Sequence, residues 1–141
     1  MKKLGIDIGS LYLGSVLLED EQIVARQYGE HKGNIERAIG DLLQQPQYRT
    51  FDTIGLTGSL SNRWRGAIDT TLAMIEGSTV LLPHCRQVFV IGGETFSLLV
   101  FDETGHYREH AINPPCAAGT GSFIEQKAQR LNISVAELAH R

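Results

Sequence analysis

The stretch LGIDIGSLYLGSVLLED, residues 4–20, joins two apolar runs through a glycine loop, and the same pattern returns later in the chain. Residues 87–103, QVFVIGGETFSLLVFDE, reproduce it at an offset of 83 residues, from Gly9 to Gly92. The same offset aligns further positions: Ile91 with Ile8, Val100 with Leu17, and Asp102-Glu103 with Glu19-Asp20. Because both the glycine loop and the next turn coincide, the sequence predicts an internal duplication.

The segments around the two loops read as strand meanders that feed into helices. Strands are predicted at 4–9, 13–20, 21–29, 50–58 and, with two turns, within 87–112; helices are predicted at 34–45, 60–81 and 123–138. This order predicts an α/β protein with two lobes around a cleft. We expect residues 1–85 to form the first lobe and residues 86–141 to begin the second.

Composition excludes several classes of function. A formal net charge of −3 leaves no basic surface for nucleic acid. No apolar run approaches the roughly 20 residues that a membrane span needs. The start, MKKLGIDIGS, lacks the long apolar core of a signal peptide, so we expect a cytoplasmic protein. In that reducing compartment Cys85 and Cys116 are predicted to be free thiols or ligands.

The two glycine loops are candidate phosphate sites. In DIGS, residues 7–10, glycine lets backbone N–H groups approach a phosphate, Ser10 adds a hydroxyl, and Asp7 can hold Mg²⁺. No GxxxxGK[ST] loop is present, so this is a different arrangement from a P-loop. IGGE, residues 91–94, is the matching loop of the second repeat. The candidate nucleotide-binding residues are Asp7, Gly9, Ser10, Gly92, Gly93 and Glu94.

The segment NPPCAAGTGSFIEQ, residues 113–126, places a cysteine after two prolines and before small residues and a predicted helix. A cysteine that only fills a core rarely needs that preparation. A thiolate at a helix N-terminus has a lowered pKa, and the small residues leave room around the sulfur. The pattern therefore predicts that the Cys116 sulfur contacts another group.

These motifs carry a family resemblance. GIDIGS, the second IGG loop and above all CAAGTG, residues 116–121, resemble the ATP-dependent activators of 2-hydroxyacyl-CoA dehydratases and their relatives in benzoyl-CoA reduction. The loops are generic to the actin/hexokinase/Hsp70-type ATPase superfamily, whereas the cysteine motif is specific. The resemblance covers nearly the whole chain in order, with Thr57-Gly58 between the loops. It implies an actin-like (ribonuclease H-like) ATPase fold.

The resemblance also implies cofactors and partners. Such activators are homodimers around one [4Fe–4S] cluster, to which each subunit gives two cysteines, and ATP hydrolysis drives an electron to a CoA-ester dehydratase or reductase. Carried over, Cys116 is a cluster ligand and Asp7 a magnesium ligand in an ATP site. The second cysteine and the adenosine-binding motif are expected after Arg141. We therefore expect residues 1–141 to be the N-terminal part of a longer protein and to be inactive alone.

The chain departs from the family pattern at several positions, which keeps two alternatives open. Residues 11–15, LYLGS, lack the lysine that often follows the first loop, and Val90 stands where aspartate is common. A sugar or acetate kinase-like phosphotransferase of the same superfamily is one alternative; it needs a catalytic aspartate and has no use for Cys116. A non-catalytic nucleotide-binding scaffold lobe is the other. Cys85 precedes the second lobe, so we expect it to be a structural thiol.

Overall fold

The computed structural model describes residues 1–92, 95–113, 124, 128, 130–131 and 133–139. The chain divides into two compact units, Met1–Met74 and Ile75–Arg141, called here the first and second units. The boundary between lobes at residue 85 stays a prediction.

A four-stranded sheet in the order β3-β2-β1-β4 forms the base of the first unit. Its strands are β1 Lys2–Ile8, β2 Tyr12–Glu19, β3 Gln22–Glu30 and β4 Thr53–Thr57. β1 pairs antiparallel with β2 and parallel with β4, so β1 and β4 end at the same edge of the sheet. Asp20 and Glu21 have positive φ angles of 49° and 67°, which makes the tight two-residue turn that the sequence predicts between β2 and β3.

One face of this sheet packs on a single amphipathic helix, α1, Ile35–Gln44. The helix begins where it does because the Asn34 side chain accepts a hydrogen bond from the Arg37 backbone N–H at 3.1 Å. Alternate residues of β1 and β2 point into the core while their neighbours point to the opposite face. The buried core residues of this unit are Leu4, Ile6, Ile8, Leu13, Leu17, Ile35, Leu42 and Tyr48.

The second unit contains a three-stranded antiparallel sheet in the order β5-β6-β7. Its strands are β5 Gln87–Ile91, β6 Phe96–Phe101 and β7 Tyr107–Ile112. Helix α2, Thr70–Leu81, spans the division between the units, and a short helix, α3, Val135–Ala139, lies near the end of the chain. Within the described residues, no helix has both the length and the apolar character that crossing a membrane requires.

The strand registers confirm the predicted duplication. Ile8 pairs with Leu13 and, 83 residues later, Ile91 pairs with Phe96. The second hairpin repeats even the irregularity of the first, because the β2–β3 register shifts between Leu17 and Leu18 and the β6–β7 register shifts between Val100 and Phe101. A shared bulge position is a specific structural feature, so the two meanders are copies of one unit. The predicted α/β class with duplicated meanders is thereby confirmed.

The prediction that residues 60–81 are mostly helical is wrong in its first half. Only a short 3-10 turn, Ser61–Arg63, precedes α2. Gly66 adopts a left-handed φ of +84°, and the Ile68 N–H donates to the Leu56 carbonyl of β4 at 2.7 Å. This tertiary hydrogen bond holds Ile68 against β4, where the sequence pattern favours a helix. Gly77 lies within α2, although glycine is unfavourable in a helix interior.

The prediction of one helix over 123–138 is also wrong. Residues 131, 133 and 134 are not helical, and α3 begins after them. The Ser134 hydroxyl accepts from the Glu137 N–H at 3.1 Å, and the Glu137 carboxylate accepts from the Ser134 N–H at 2.7 Å. This reciprocal pair is a capping box, and it starts a new helix.

Candidate functional site

Asp7 lies at the carboxyl end of β1, where the first glycine loop begins. In the register of the sheet it is flanked by Gly14 of β2 and by Thr57 at the end of β4. Ligands of open α/β sheets bind outside the carboxyl ends of parallel strands. The parallel β1–β4 pair therefore brings a carboxylate and a threonine to the edge where a ligand is expected.

The loop after β1 is a tight turn that leaves little space beside Gly9. The Gly9 N–H donates to the Tyr12 carbonyl at 2.9 Å, and a Cβ on Gly9 would lie 3.2 Å from that same oxygen. A side chain at this position would require that carbonyl to move by a few tenths of an ångström. Ser10, at the tip of the turn, is partly exposed. Asp7, Gly9 and Ser10 therefore lie in or next to one tight turn, and their role in binding nucleotide stays a prediction.

A second glycine, Gly58, packs against the backbone at the start of this loop. Gly58 follows Thr57 with a φ of +103°, and a Cβ there would lie 2.5 Å from the Ile8 backbone nitrogen. The Leu60 N–H then donates to the Ile8 carbonyl at 3.0 Å. The backbone after β4 therefore packs directly against the backbone after β1, and this contact has no space for a side chain.

The electrostatic state of Asp7 is unusual for a surface carboxylate. Its side chain lies on the face of the sheet opposite α1 and reaches solvent, yet the surrounding chain displaces enough water to raise its pKa above the ordinary value. Among the described residues it has no hydrogen bond or ion pair that would offset this loss of solvation. Carboxylate oxygens are the ligands that Mg²⁺ prefers, so Asp7 stays a predicted magnesium ligand.

Asp7 also borders a cavity of about 740 Å³ on this face of the first unit. Three of the lining positions are glycines on neighbouring strands, so the backbone itself forms the floor. The wall contains a cation and an aromatic ring from β3, which the sequence analysis did not single out. The lining residues are Gly5, Ile6, Asp7, Gly14, Ser15, Val16, Arg26, Gln27, Tyr28, Gly55, Thr57, Ile68 and Ala73.

The loop of the second unit repeats the turn of the first. The Gly92 N–H donates to the Thr95 carbonyl at 2.7 Å, and a Cβ on Gly92 would lie 3.0 Å from that oxygen. Val90 occupies the register position that corresponds to Asp7, so this strand end carries no carboxylate. Gly93 and Glu94 lie outside the described residues.

The structure describes one of the two cysteines, Cys85, and not the other. Cys116 and the rest of CAAGTG lie outside the described residues, so its role as a ligand stays a prediction. Cys85 is an exposed free thiol whose S–H donates to the Gln87 carbonyl at 2.9 Å. This bond ties Cys85 to the start of β5.

One residue near the first loop was missed entirely. His31 is buried, with 6% of its surface exposed, and its ring contacts the Gly9 carbonyl at 3.1 Å. The two residues are 22 positions apart, and a lone histidine after a strand carries no periodic signal. Only the fold brings them together.

The duplicated meanders and the parallel β1–β4 pair define an actin-like α/β fold, and solved structures show the same architecture. Component A of the (R)-2-hydroxyglutaryl-CoA dehydratase of Acidaminococcus fermentans matches with a TM-score of 0.82 and 26% identity, over 99% of this chain and 57% of that chain. The ADPNP-bound activator of the 2-hydroxyisocaproyl-CoA dehydratase from Clostridium difficile matches with a TM-score of 0.77 and 27% identity, over 98% of this chain and 55% of that chain.

Sequence comparison leads to the same proteins. The (R)-2-hydroxyglutaryl-CoA dehydratase activating ATPase of Acidaminococcus fermentans is 29% identical over 147 residues, which covers 96% of this chain and 56% of that protein. The chain thus spans little more than half the length of the curated relatives it matches. No protein-family model matches the chain. Homologues over most of its length are activator ATPases of 2-hydroxyacyl-CoA dehydratases, which confirms the resemblance seen in the motifs.

Proposed function

We propose that this chain supplies the nucleotide-binding region of an ATP-dependent activator that serves a CoA-ester dehydratase or reductase. The observation that carries the proposal is the Asp7–Ser10 turn, at the joint end of β1 and β4 and repeated at Gly92 in the second unit. The relatives named as dehydratase activators, one of them with bound ADPNP, support the same role.

Each residue of the first loop has a chemical task in this proposal. The Gly9 turn exposes backbone N–H groups to phosphate oxygens, and the Ser10 hydroxyl adds a further donor. The Asp7 carboxylate holds Mg²⁺ directly or through water. The bound ion supplies positive charge that screens the phosphates. At the matching turn of the second unit, Gly92, Gly93 and Glu94 are proposed to bind nucleotide as well.

The iron–sulfur part of the proposal rests on CAAGTG and on the activator relatives. Cys116 is proposed to give one thiolate to a [4Fe–4S] cluster shared by a homodimer, through which an electron passes to the dehydratase or reductase. A cubane of this kind takes four thiolates, and two copies of Cys116 supply only two of them. We propose that a second cysteine of each subunit, other than Cys85, supplies the remaining two thiolates.

The test of the nucleotide site is the substitution Asp7→Asn in the full-length protein. Titration with ATP and Mg²⁺ should show affinity about tenfold lower or worse, the size of one charge-assisted interaction. The same substitution should leave the free energy of unfolding unchanged or raise it. A raised pKa means that folding disfavours the ionised carboxylate, and this cost is present at neutral pH and disappears as the pH falls through the folded-state pKa.

The neutral amide of Asp7→Asn lacks that cost, so its melting temperature without nucleotide should equal or exceed the parent value. Asp41→Asn is the matched control, because Asp41 is an exposed carboxylate whose one ion pair among the described residues is with Arg37 on α1. It should leave nucleotide affinity unchanged. Equal affinity for MgATP in the parent and in Asp7→Asn would rule out the assigned role of Asp7.

The test of the cluster is iron analysis of the full-length protein purified without oxygen. Cys116→Ser should lose the iron and the visible absorbance, because serine does not replace a thiolate ligand of the cluster. Cys85→Ser should keep both, since its sulfur bonds to the Gln87 carbonyl. Full iron content in Cys116→Ser would contradict the proposal.

A nucleotide-binding lobe without turnover is the second candidate, and Val90 is the observation that favours it. The register position of Asp7 carries no carboxylate in the second unit, so the two loops are not chemically equivalent. Measuring ATP hydrolysis together with ATP binding distinguishes the two candidate functions. Saturable MgATP binding with no phosphate release, and no iron, would support the scaffold.

A further inference from the structure

His31 makes hydrogen bonds to two segments of backbone, and its carbonyl accepts from the Asn34 N–H at 2.8 Å. Its own N–H donates to the Leu11 carbonyl at 3.2 Å. Its ring Nε2 lies 3.1 Å from the Gly9 carbonyl, and its ring Nδ1 accepts from the Gly33 N–H at 3.1 Å. The side chain therefore joins the first glycine loop to the segment between β3 and α1.

These partners fix the proton of the ring. A backbone N–H is only a donor, so the Nδ1 that it meets must be unprotonated. The neutral ring then carries its hydrogen on Nε2, which donates to the Gly9 carbonyl. Both ring nitrogens are used in this Nε2–H tautomer, as expected for a histidine that is 6% exposed.

The hydrogen bond from His31 to the Gly9 carbonyl also orients the N–H of the next residue, Ser10. The peptide between Gly9 and Ser10 is planar and trans, so its C=O and its N–H point in opposite directions. By holding the Gly9 carbonyl toward its own ring, His31 turns the Ser10 N–H away from itself. A flip of this peptide would exchange the two directions.

We propose that His31 is a positioning residue of the nucleotide site, which fixes the Gly9–Ser10 peptide so that the Ser10 N–H is available to a phosphate oxygen. This inference rests on the proposed nucleotide-binding function and adds a residue that touches no ligand itself. A preorganised donor costs no reorganisation when the anion arrives, which is why its orientation affects affinity.

Two substitutions of His31 test the donor and the acceptor of its ring separately. In His31→Gln the side-chain NH₂ reaches the position of Nε2, so the donor to the Gly9 carbonyl is kept. In His31→Asn the side-chain oxygen takes the position of Nδ1, so only the acceptor for the Gly33 N–H is kept. Each variant loses one hydrogen bond, and we expect both to destabilise the fold similarly.

Nucleotide affinity should instead follow the donor. In the full-length protein, affinity for MgATP should stay within about threefold of the parent in His31→Gln and fall about tenfold in His31→Asn, as for loss of one oriented donor. Equal affinity in the two variants, or a greater loss in His31→Gln, would overturn the inference. Failure of the parent protein to bind MgATP would count against the proposed function instead.

Nuclear magnetic resonance tests the positioning without nucleotide and without variants. The ¹⁵N signals of the His31 ring should show a protonated Nε2 and an unprotonated Nδ1. The opposite tautomer would overturn the inference even if every variant failed to fold. Where His31→Asn folds, its Ser10 amide resonance should move more than in His31→Gln, and the reverse order would also contradict the proposal.

Discussion

Single residues without side chains determine the geometry of the first loop. Gly58 is the clearest case, because it combines a left-handed φ of +103° with backbone atoms of Ile8 in the space that a Cβ would occupy. Two effects therefore oppose any substitution, strain in the backbone and collision with the loop that carries Ser10. The pair Thr57-Gly58 is a requirement of packing at the site.

Gly58→Ala should accordingly be more harmful than backbone strain alone predicts. Gly66→Ala is the matched control, because Gly66 has a similar φ of +84° but, its chain neighbours aside, no atom of the described residues within 4 Å of its Cβ position. We expect about 1–2 kcal/mol of lost stability in Gly66→Ala from the left-handed conformation. Gly58→Ala should lose at least about 1–3 kcal/mol more, the range for overpacking. Denaturant unfolding of both variants measures the difference, and equal losses would show that Ile8 yields freely.

The residues that sequence reasoning identified differ from those it missed by the range of their interactions. Asp7, Gly9 and Ser10 were predicted because a strand end followed by glycine is a local pattern. His31 was not, because its partner Gly9 is 22 residues away and only the β-meander brings them into contact. Arg26 and Tyr28 were missed for the same reason, since their place in the cavity depends on strand pairing.

At the scale of elements, the strands were predictable and the helix boundaries less so. Alternation of apolar residues in β1 and β2 follows directly from burial of one face. The helix predicted in the segment before α2 is wrong because the Ile68 N–H donates to the Leu56 carbonyl of β4. No local sequence pattern reveals this bond. The break before α3 did have a local signal, the Ser134–Glu137 capping box, and its spelling is present in the sequence.

The β6–β7 turn is an element whose stability depends on one carboxylate. Asp102 accepts hydrogen bonds from the Thr104 hydroxyl at 2.7 Å, the His106 N–H at 3.0 Å and the Thr104 N–H at 2.9 Å. Arg108 adds an ion pair at 3.0 Å. These donors, the Thr104 hydroxyl first, hold the pKa of Asp102 well below its ordinary range. The Asp102 side chain is 18% exposed, so these bonds form beside solvent.

A lowered pKa predicts a specific loss of stability in acid. The ionised Asp102 contributes fully above the ordinary carboxyl value of about 3.9, and its contribution declines as the pH falls from there toward the lowered pKa. The stability difference between the parent and Asp102→Asn should thus be constant from pH 7 to about 5 and shrink below about pH 4. Urea unfolding at each pH measures it.

Glu19 provides the control for this turn, because the duplication places it at the position equivalent to Asp102. In the part of the chain that the structure describes, the Glu19 carboxylate makes one surface ion pair, with Lys2 at 3.6 Å. Glu19→Gln should change stability little at any pH, as expected of an exposed pair. A pH dependence of Asp102→Asn that merely matched that of Glu19→Gln would contradict the assigned role of the turn.

At the scale of the whole molecule, the duplication allows the two units to be compared position by position. In the first unit, Ile6 and Ile8 lie in the core beside α1, with 1% and 0% of their surface exposed. Their equivalents in the second unit, Phe89 and Ile91, are 57% and 58% exposed. One architecture therefore has a covered sheet face in one copy and an open one in the other, within the residues that the structure describes.

Ile8 and Ile91 allow a direct comparison of a covered and an open sheet face, since the same residue type occupies the same strand position in the two units. Ile8→Thr should cost about 2–4 kcal/mol, because it removes buried methyl volume and places a hydroxyl in the core. Ile91→Thr should change stability by no more than about 0.5 kcal/mol, the range of surface substitutions. It should also lower the binding of an apolar dye, because a smaller apolar patch is left in water. Denaturant unfolding and dye fluorescence of residues 1–141 measure both effects. A loss of stability in Ile91→Thr as large as in Ile8→Thr would mean that the face of the second sheet is covered in solution, and that the two copies pack alike.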